Sequence, residues 1–175
     1  MHMIRSPLGW LVVAAMALGP ALGAVPAQAA VNVSFDNPAG YTDAGLRYGA
    51  RTAADEPTMR AIRAHLEQLG QRYLRPNQVL KVDVLDIDLA GRFEPWHRRA
   101  YDVRIMRDVT WPRMKLRYVL DQDGKVLAQG EETIRDMNYL TRSDLRYADG
   151  TLRYEKAMLD NWFRDRFVKG RTAGS

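Results

Sequence analysis

The chain has no cysteine, which excludes disulfide bonds and thiolate chemistry. A lipid-anchored exported protein carries a cysteine at its cleavage site, so a lipoprotein is not expected either. Histidine is scarce: His65 and His97 are the only ones beyond His2. There is no G-x-S-x-G motif, so a serine triad would have to use one of those two histidines. Internal repeats and low-complexity segments are missing. Past residue 30 there is no apolar run long enough for a transmembrane helix. With 175 residues, the chain is long enough for one domain held by an ordinary hydrophobic core.

The N-terminal residues 1–29 read as a secretory signal peptide. Arg5 supplies the positive charge, Leu8–Gly23 the apolar region, and Ala27-Gln28-Ala29 an A-x-A cleavage site. Gly19-Pro20 interrupts the apolar region, which is short for a span; an uncleaved anchor is the alternative. The expected location is therefore periplasmic or secreted. Residues 30–168 would form a single domain, followed by a basic tail at 169–175, with no transmembrane segment after cleavage. The formal charge of +5 favours contact with anionic surfaces, although 21 acidic residues are interspersed among 26 basic ones. Nucleic acid is not an expected partner of an exported protein.

The most strand-like stretch is Val82–Leu89, V-D-V-L-D-I-D-L. Val82 and Val84 follow one alternation phase, while Leu85, Ile87 and Leu89 follow the other. A β-bulge at Val84-Leu85 would absorb the slip and keep the apolar residues on the core side. Lys81, Asp83, Asp86 and Asp88 would then share the opposite face. A strand buried on both faces is the alternative, but three buried carboxylates would each need a partner.

Around this stretch the chain reads β-α-β-β-β-β-α. Val31–Phe35 alternates as a first strand, and Tyr41–Ala53 is a polar connection. Met59, Ile62, Leu66, Leu69 and Tyr73 form an apolar stripe on a helix from about Glu56 to Leu74, with Asp55 as N-cap. His65 falls off the stripe and reads as a surface residue. Tyr101–Met106 and Met114–Leu120 alternate as strands. Asp123-Gly124 predicts a hairpin whose return strand, Val126–Ile134, is a candidate edge. A closing helix from about Leu152 to Phe167 would bury Leu152, Leu159, Trp162, Phe163 and Phe167, with Asp149 or Thr151 as cap. The expected architecture is an α+β two-layer sandwich: a mostly antiparallel sheet of about five strands with two amphipathic helices on one face.

Five motifs together carry a resemblance: L-D-I-D-L-A-G at Leu85–Gly91, E-P-W at Glu94–Trp96, D-V-T-W-P-R-M-K-L-R-Y at Asp108–Tyr118, D-M-N-Y-L at Asp136–Leu140, and Y-E-K-A-M-L-D-N-W-F at Tyr154–Phe163. With Tyr41-Thr42-Asp43 they span nearly the whole mature chain. The sequence resembles the domain of unknown function 3016 family, small exported bacterial proteins. That resemblance implies export and a single domain. It implies no activity, ligand, cofactor or catalytic residue.

Four constellations could carry function. Asp83, Asp86 and Asp88 could offer oxygens to a hard cation, but opposite-charge pairs across strands are the ordinary finish of an open sheet face. Glu94 with Asp86 or Asp136 could act as acid and base on a polymer, with Trp96 and Phe93 raising one pKa; otherwise Trp96 packs over the end of the core. Nucleophilic catalysis has no motif. The fourth is a binding surface: Trp96, His97, Arg98 and Arg99 with Arg92 from one connection, and Asn138, Tyr139, Arg142 and Tyr147 from the long Arg135–Gly150 loop. The reading favoured by the sequence is a non-catalytic binding or assembly module of the bacterial envelope. It would need no cofactor and would meet an envelope protein or polymer, or an anionic surface. A small hydrolase acting on an envelope polymer is the alternative.

Overall fold

The computed structural model describes residues 28–46, 57–96, 102–141 and 150–170. Strand β1 (Ala30–Phe35) leads through a short 3₁₀ turn, Pro38–Gly40, towards helix α1 (Pro57–Tyr73). Strand β2 (Gln78–Asp88) follows, then the two-residue strands β3 (Arg92–Phe93) and β4 (Arg104–Ile105). Strands β5 (Arg113–Gln122) and β6 (Lys125–Arg135) form a hairpin, and helix α2 (Arg153–Arg164) continues as a π-helical turn through Lys169. The main sheet has the order β1-β2-β5-β6. β1 runs parallel to β2, as a strand-helix-strand crossover requires, and the other neighbours are antiparallel. The fold is α+β, a mainly antiparallel sheet with two helices.

The register of β2 against β5 shifts between Val84 and Asp86. Leu85 is the extra residue of a bulge and is half-buried. Before it, Leu80, Val82 and Val84 enter the core; after it, Ile87 and Leu89 do. Asp83, Asp86 and Asp88 keep to the other face, as the alternation predicts, because one inserted residue restores the phase.

The core joins these strand residues to Met114, Leu116, Tyr118 and Leu120 of β5 and to the apolar faces of both helices. Met59, Ile62, Leu66 and Leu69 come from α1, and Leu159, Trp162 and Phe163 from α2. Phe167 follows on the π-helical turn, where Tyr118, Trp162, Phe163 and Phe167 meet edge to face. The β5–β6 turn has positive φ at Asp123 and Gly124, 52° and 81°, the conformation of a tight hairpin. Gly130 leaves space for the Tyr118 ring; a Cβ there would sit 3.0–3.2 Å from it.

Three expectations differ. Among the described residues the main sheet has four strands, because 102–106 contributes only Arg104–Ile105, paired to Arg92–Phe93 in a separate ribbon. β5 takes the place beside β2, so 89–96 and 102–112 lie off the sheet end. His65 is buried: α1 and α2 pack together, and its Nε2 lies 3.2 Å from the Lys156 carbonyl and 3.4 Å from the buried Asp160 carboxylate. Both neighbours are acceptors, so Nε2 carries the proton. Asp149 lies outside the described residues, and Thr151 does not cap α2. Leu152 takes that place with left-handed backbone, φ 59°, and its side chain is buried. Asp55 lies outside the described residues.

Deleting Leu85 should leave the protein folded, because Val84, Asp86, Ile87 and Asp88 then alternate without a slip and keep their β5 partners. The cost is the lost bend of the strand, about 1–3 kcal/mol. Leu85→Thr keeps the register and should cost only about 1 kcal/mol. Chemical denaturation of both variants checks this; a deletion variant that does not fold would contradict it.

Candidate functional site

Beyond the bulge, β2 loses β1 as a neighbour and gains the segment Tyr41–Ala44. Asp43 N–H donates to the Ile87 carbonyl at 2.8 Å, and Leu89 N–H donates back to the Asp43 carbonyl at 2.9 Å. The Tyr41 hydroxyl donates to the Val84 carbonyl at 2.7 Å. Burial, helped by the Asp36 and Asp86 carboxylates, raises its pKa well above the usual phenol value. Thr42 donates to Asp86 through both backbone N–H and hydroxyl, each at 2.7 Å. The motif Tyr41-Thr42-Asp43 and the motif Leu85–Gly91 thus form one structure.

An ionic centre closes this end of β2. Asp88 is buried and receives Arg92 at 2.7 Å and Arg113 at 3.1 Å. Arg104 donates to both Asp43 oxygens, at 3.1 and 2.8 Å. Its remaining donors reach the carbonyls of Gly45, Leu89, Ala90 and Gly91. It also stacks over Phe93, 4.9 Å from the ring centroid. Gly91 has φ 76°, and a Cβ there would meet the Ile105 carbonyl at 2.9 Å, so only glycine fits the turn. Glu155, in the first turn of α2, accepts the Ala90 N–H at 2.8 Å and is only 3% exposed. Burial raises its pKa, against the backbone N–H bonds and the Arg104 charge.

Beside Glu155 and Arg104 is a cavity of about 240 Å³, walled by Leu46, Leu89, Met106 and Leu152. This is below the ~300–1,000 Å³ of ordinary ligand pockets, and far from a cleft for a polymer chain.

Arg107 joins the two loops that the sequence nominated. Its guanidinium grips both oxygens of buried Glu94, at 2.7–2.9 Å. Its carbonyl accepts the Tyr139 hydroxyl at 2.6 Å. Asp136 N–H donates to the Pro112 carbonyl at 3.3 Å, a further tie between the same regions.

The sequence-nominated residues fall into distinct places. Trp96 is 71% exposed, so it does not pack over the core. Asn138 is exposed, and its N–H donates to Asp136 in a local turn. Tyr139 is 2% exposed and packs edge to face on Tyr154, so it supports the loop from beneath. His97, Arg98, Arg99, Arg142 and Tyr147 lie outside the described residues. Asp83 accepts the Ser34 hydroxyl. Lys115 and Arg117 turn to Glu131 of β6, at 2.8 and 3.0 Å, and their hydrogen bonds lower its pKa. The acids of β2 therefore take Ser34, Thr42, Arg92 and Arg113 as partners rather than Lys115 and Arg117. Among the described residues no group of three or more potential ligands is placed to hold a metal ion. Glu94 is bound on both oxygens by Arg107. Arg107 and Glu155 were not singled out from sequence; each acts through a contact at least 13 positions away, and only Glu155 lay within a recognised motif.

The model of the family described as a protein of unknown function, DUF3016, matches residues 29–165. The chain belongs to the DUF3016 family. Comparison with curated proteins gives no match. Among solved structures, a protein of Xanthomonas campestris from the family DUF330 is similar at 15% identity. The match covers 89% of this chain and 92% of that one, with a TM-score of 0.39. In this DUF3016 chain the matched region contains the whole sheet and the ionic centre.

Glu155 predicts a pH dependence. Its pKa is raised on folding, so folding favours its proton. The stability from that proton is full below the unfolded carboxyl pKa and is lost as pH rises through the folded value. Glu155→Gln keeps an acceptor for Ala90 without the charge. Its melting temperature relative to wild type should therefore be higher at pH 8 than at pH 4. An unchanged difference across that range would show that Glu155 is not the group responsible.

Proposed function

We propose that this protein is an exported, soluble, non-catalytic binding or assembly module of the bacterial envelope. It docks through the Gly91–Arg99 connection and the Arg135–Gly150 loop. The observation that carries this reading is an exposed tryptophan on a rigid mount. Trp96 stands 71% exposed two residues after Glu94, whose carboxylate is clamped by Arg107. Tryptophan held ready in this way is the residue type that dominates binding energy at interfaces, since little conformational freedom is lost on contact. Val109, Met137 and Leu140 are exposed on the segments tied to the same arginine. Asn138 belongs to this surface and Tyr139 braces it; His97, Arg98, Arg99 and Arg142 lie outside the described residues.

Export rests on the signal peptide in residues 1–29. Two boundaries support cleavage after Ala29: the family match begins at residue 29, and β1 begins at Ala30. The partner is an envelope protein or polymer.

Full-length protein and its Trp96→Ala variant should be compared for partner capture from envelope extract and for thermal unfolding. The expected loss of affinity is about thirtyfold or more, with unfolding changed by less than about 0.5 kcal/mol. Arg107→Ala should weaken capture as well and destabilise by about 1–3 kcal/mol, since the buried Glu94 carboxylate loses its charge-assisted hydrogen bonds from Arg107. Unfolding of Trp96→Ala, or capture that is unchanged, would overturn the reading.

A further inference from the structure

β6 is a terminal strand of the main sheet, and its outer edge lies beside a groove. The groove, about 380 Å³, runs between β6 and α2 and is lined by Glu132, Ile134, Met158, Trp162, Asp165 and Arg166. We propose that this edge and groove form a second binding site, distinct from the Trp96 surface, which captures an extended peptide segment by strand addition.

The backbone is set for it. Asp136 N–H donates to the Pro112 carbonyl, towards β5. Successive residues of an antiparallel ladder point their backbone groups to alternate sides. Ile134 and Glu132 therefore bond to β5, while Glu131, Thr133 and Arg135 direct N–H and C=O to the open edge. Among the described residues no strand pairs with that side. The strand is 11 residues long with no proline to blunt it.

The side chains state what the segment must carry. On the core side, Ile134, Met158 and Trp162 offer apolar surface. Glu132 is already held there by Tyr118 at 3.0 Å and Arg166 at 2.7 Å, so it does not repel an incoming apolar group as a bare charge would. On the open face Arg135 lies directly across from Arg113, a like-charge pair, and of these two Asp88, shared with Arg92, pairs with Arg113. A carboxylate beside Arg135 would complete the row. Neighbouring residues of a strand point to opposite faces, so the ligand is an extended peptide with adjacent apolar and acidic residues. Backbone bonds to Glu131, Thr133 and Arg135 supply affinity, and the two side chains supply selectivity.

The test is a selection of displayed random twelve-residue peptides on the full chain, with amide exchange followed by NMR. Enriched peptides should share an apolar–acidic pair and slow exchange of the Glu131, Thr133 and Arg135 amides at least tenfold. Thr133→Pro removes an outward N–H without touching the β5 ladder, and affinity should fall at least tenfold. Arg135→Glu should shift selection to basic peptides. If Thr133→Pro does not fold, N-methylation of the selected peptides replaces it and should abolish binding. No enrichment, or peptides that bind Thr133→Pro and N-methylated forms equally well, would overturn the proposal. So would a dimer in sedimentation with those amides already protected, since a second copy would then hold the edge.

Discussion

One inserted residue, Leu85, sets the frame in which every other feature is placed. Were it paired as an ordinary strand residue rather than bulged, β2 would show its acids to the core on one side or the other. With it bulged, five apolar residues of the stretch 80–89 face the helices and three carboxylates face away. The bulge also ends the contact with β1, because the bent strand no longer runs alongside it. The vacated edge is filled by Tyr41–Ala44, which brings Asp43 to the end of β2 and makes the ionic centre possible.

That centre is mainly a device for holding backbone in place. Arg104 spends nearly all of its donors on Asp43 and on four carbonyls from two segments. Such an arginine is saturated and has little left for a ligand. Arg107 does the same at the next layer, with Glu94 on its side chain and Tyr139 on its carbonyl. The segments 89–96 and 102–112 are therefore rigid near their base although they leave the sheet. The Trp96 surface of the proposed function stands on this mount, and the small cavity beside Glu155 lies where the mount packs on α2.

Reading from sequence succeeded where a local pattern carries the information. The helix stripes, the Asp123-Gly124 turn, the bulge and the edge position of β6 all follow from periodicity or turn chemistry over a few residues. It failed where partner choice is long-range. The stretch at 101–106 alternates like a strand, yet β5 outcompetes it for the place beside β2 with a ten-residue ladder. His65 sits off the stripe of its own helix, but α2 covers that flank and supplies two acceptors. Tyr139 looked like an exposed recognition residue, and its ring is instead buried against Tyr154.

The sequence by itself therefore determined the long strands and both helices, the apolar stripe of each, and membership of the DUF3016 family. Those properties depend on residues three to seven positions apart, whose geometry any chain of this pattern shares. Tertiary structure alone decided which charges meet. Asp43 finds Arg104 across 61 positions and Glu155 finds Ala90 across 65. No period links such residues, because their encounter depends on how a bent strand, a crossover and a closing helix stack.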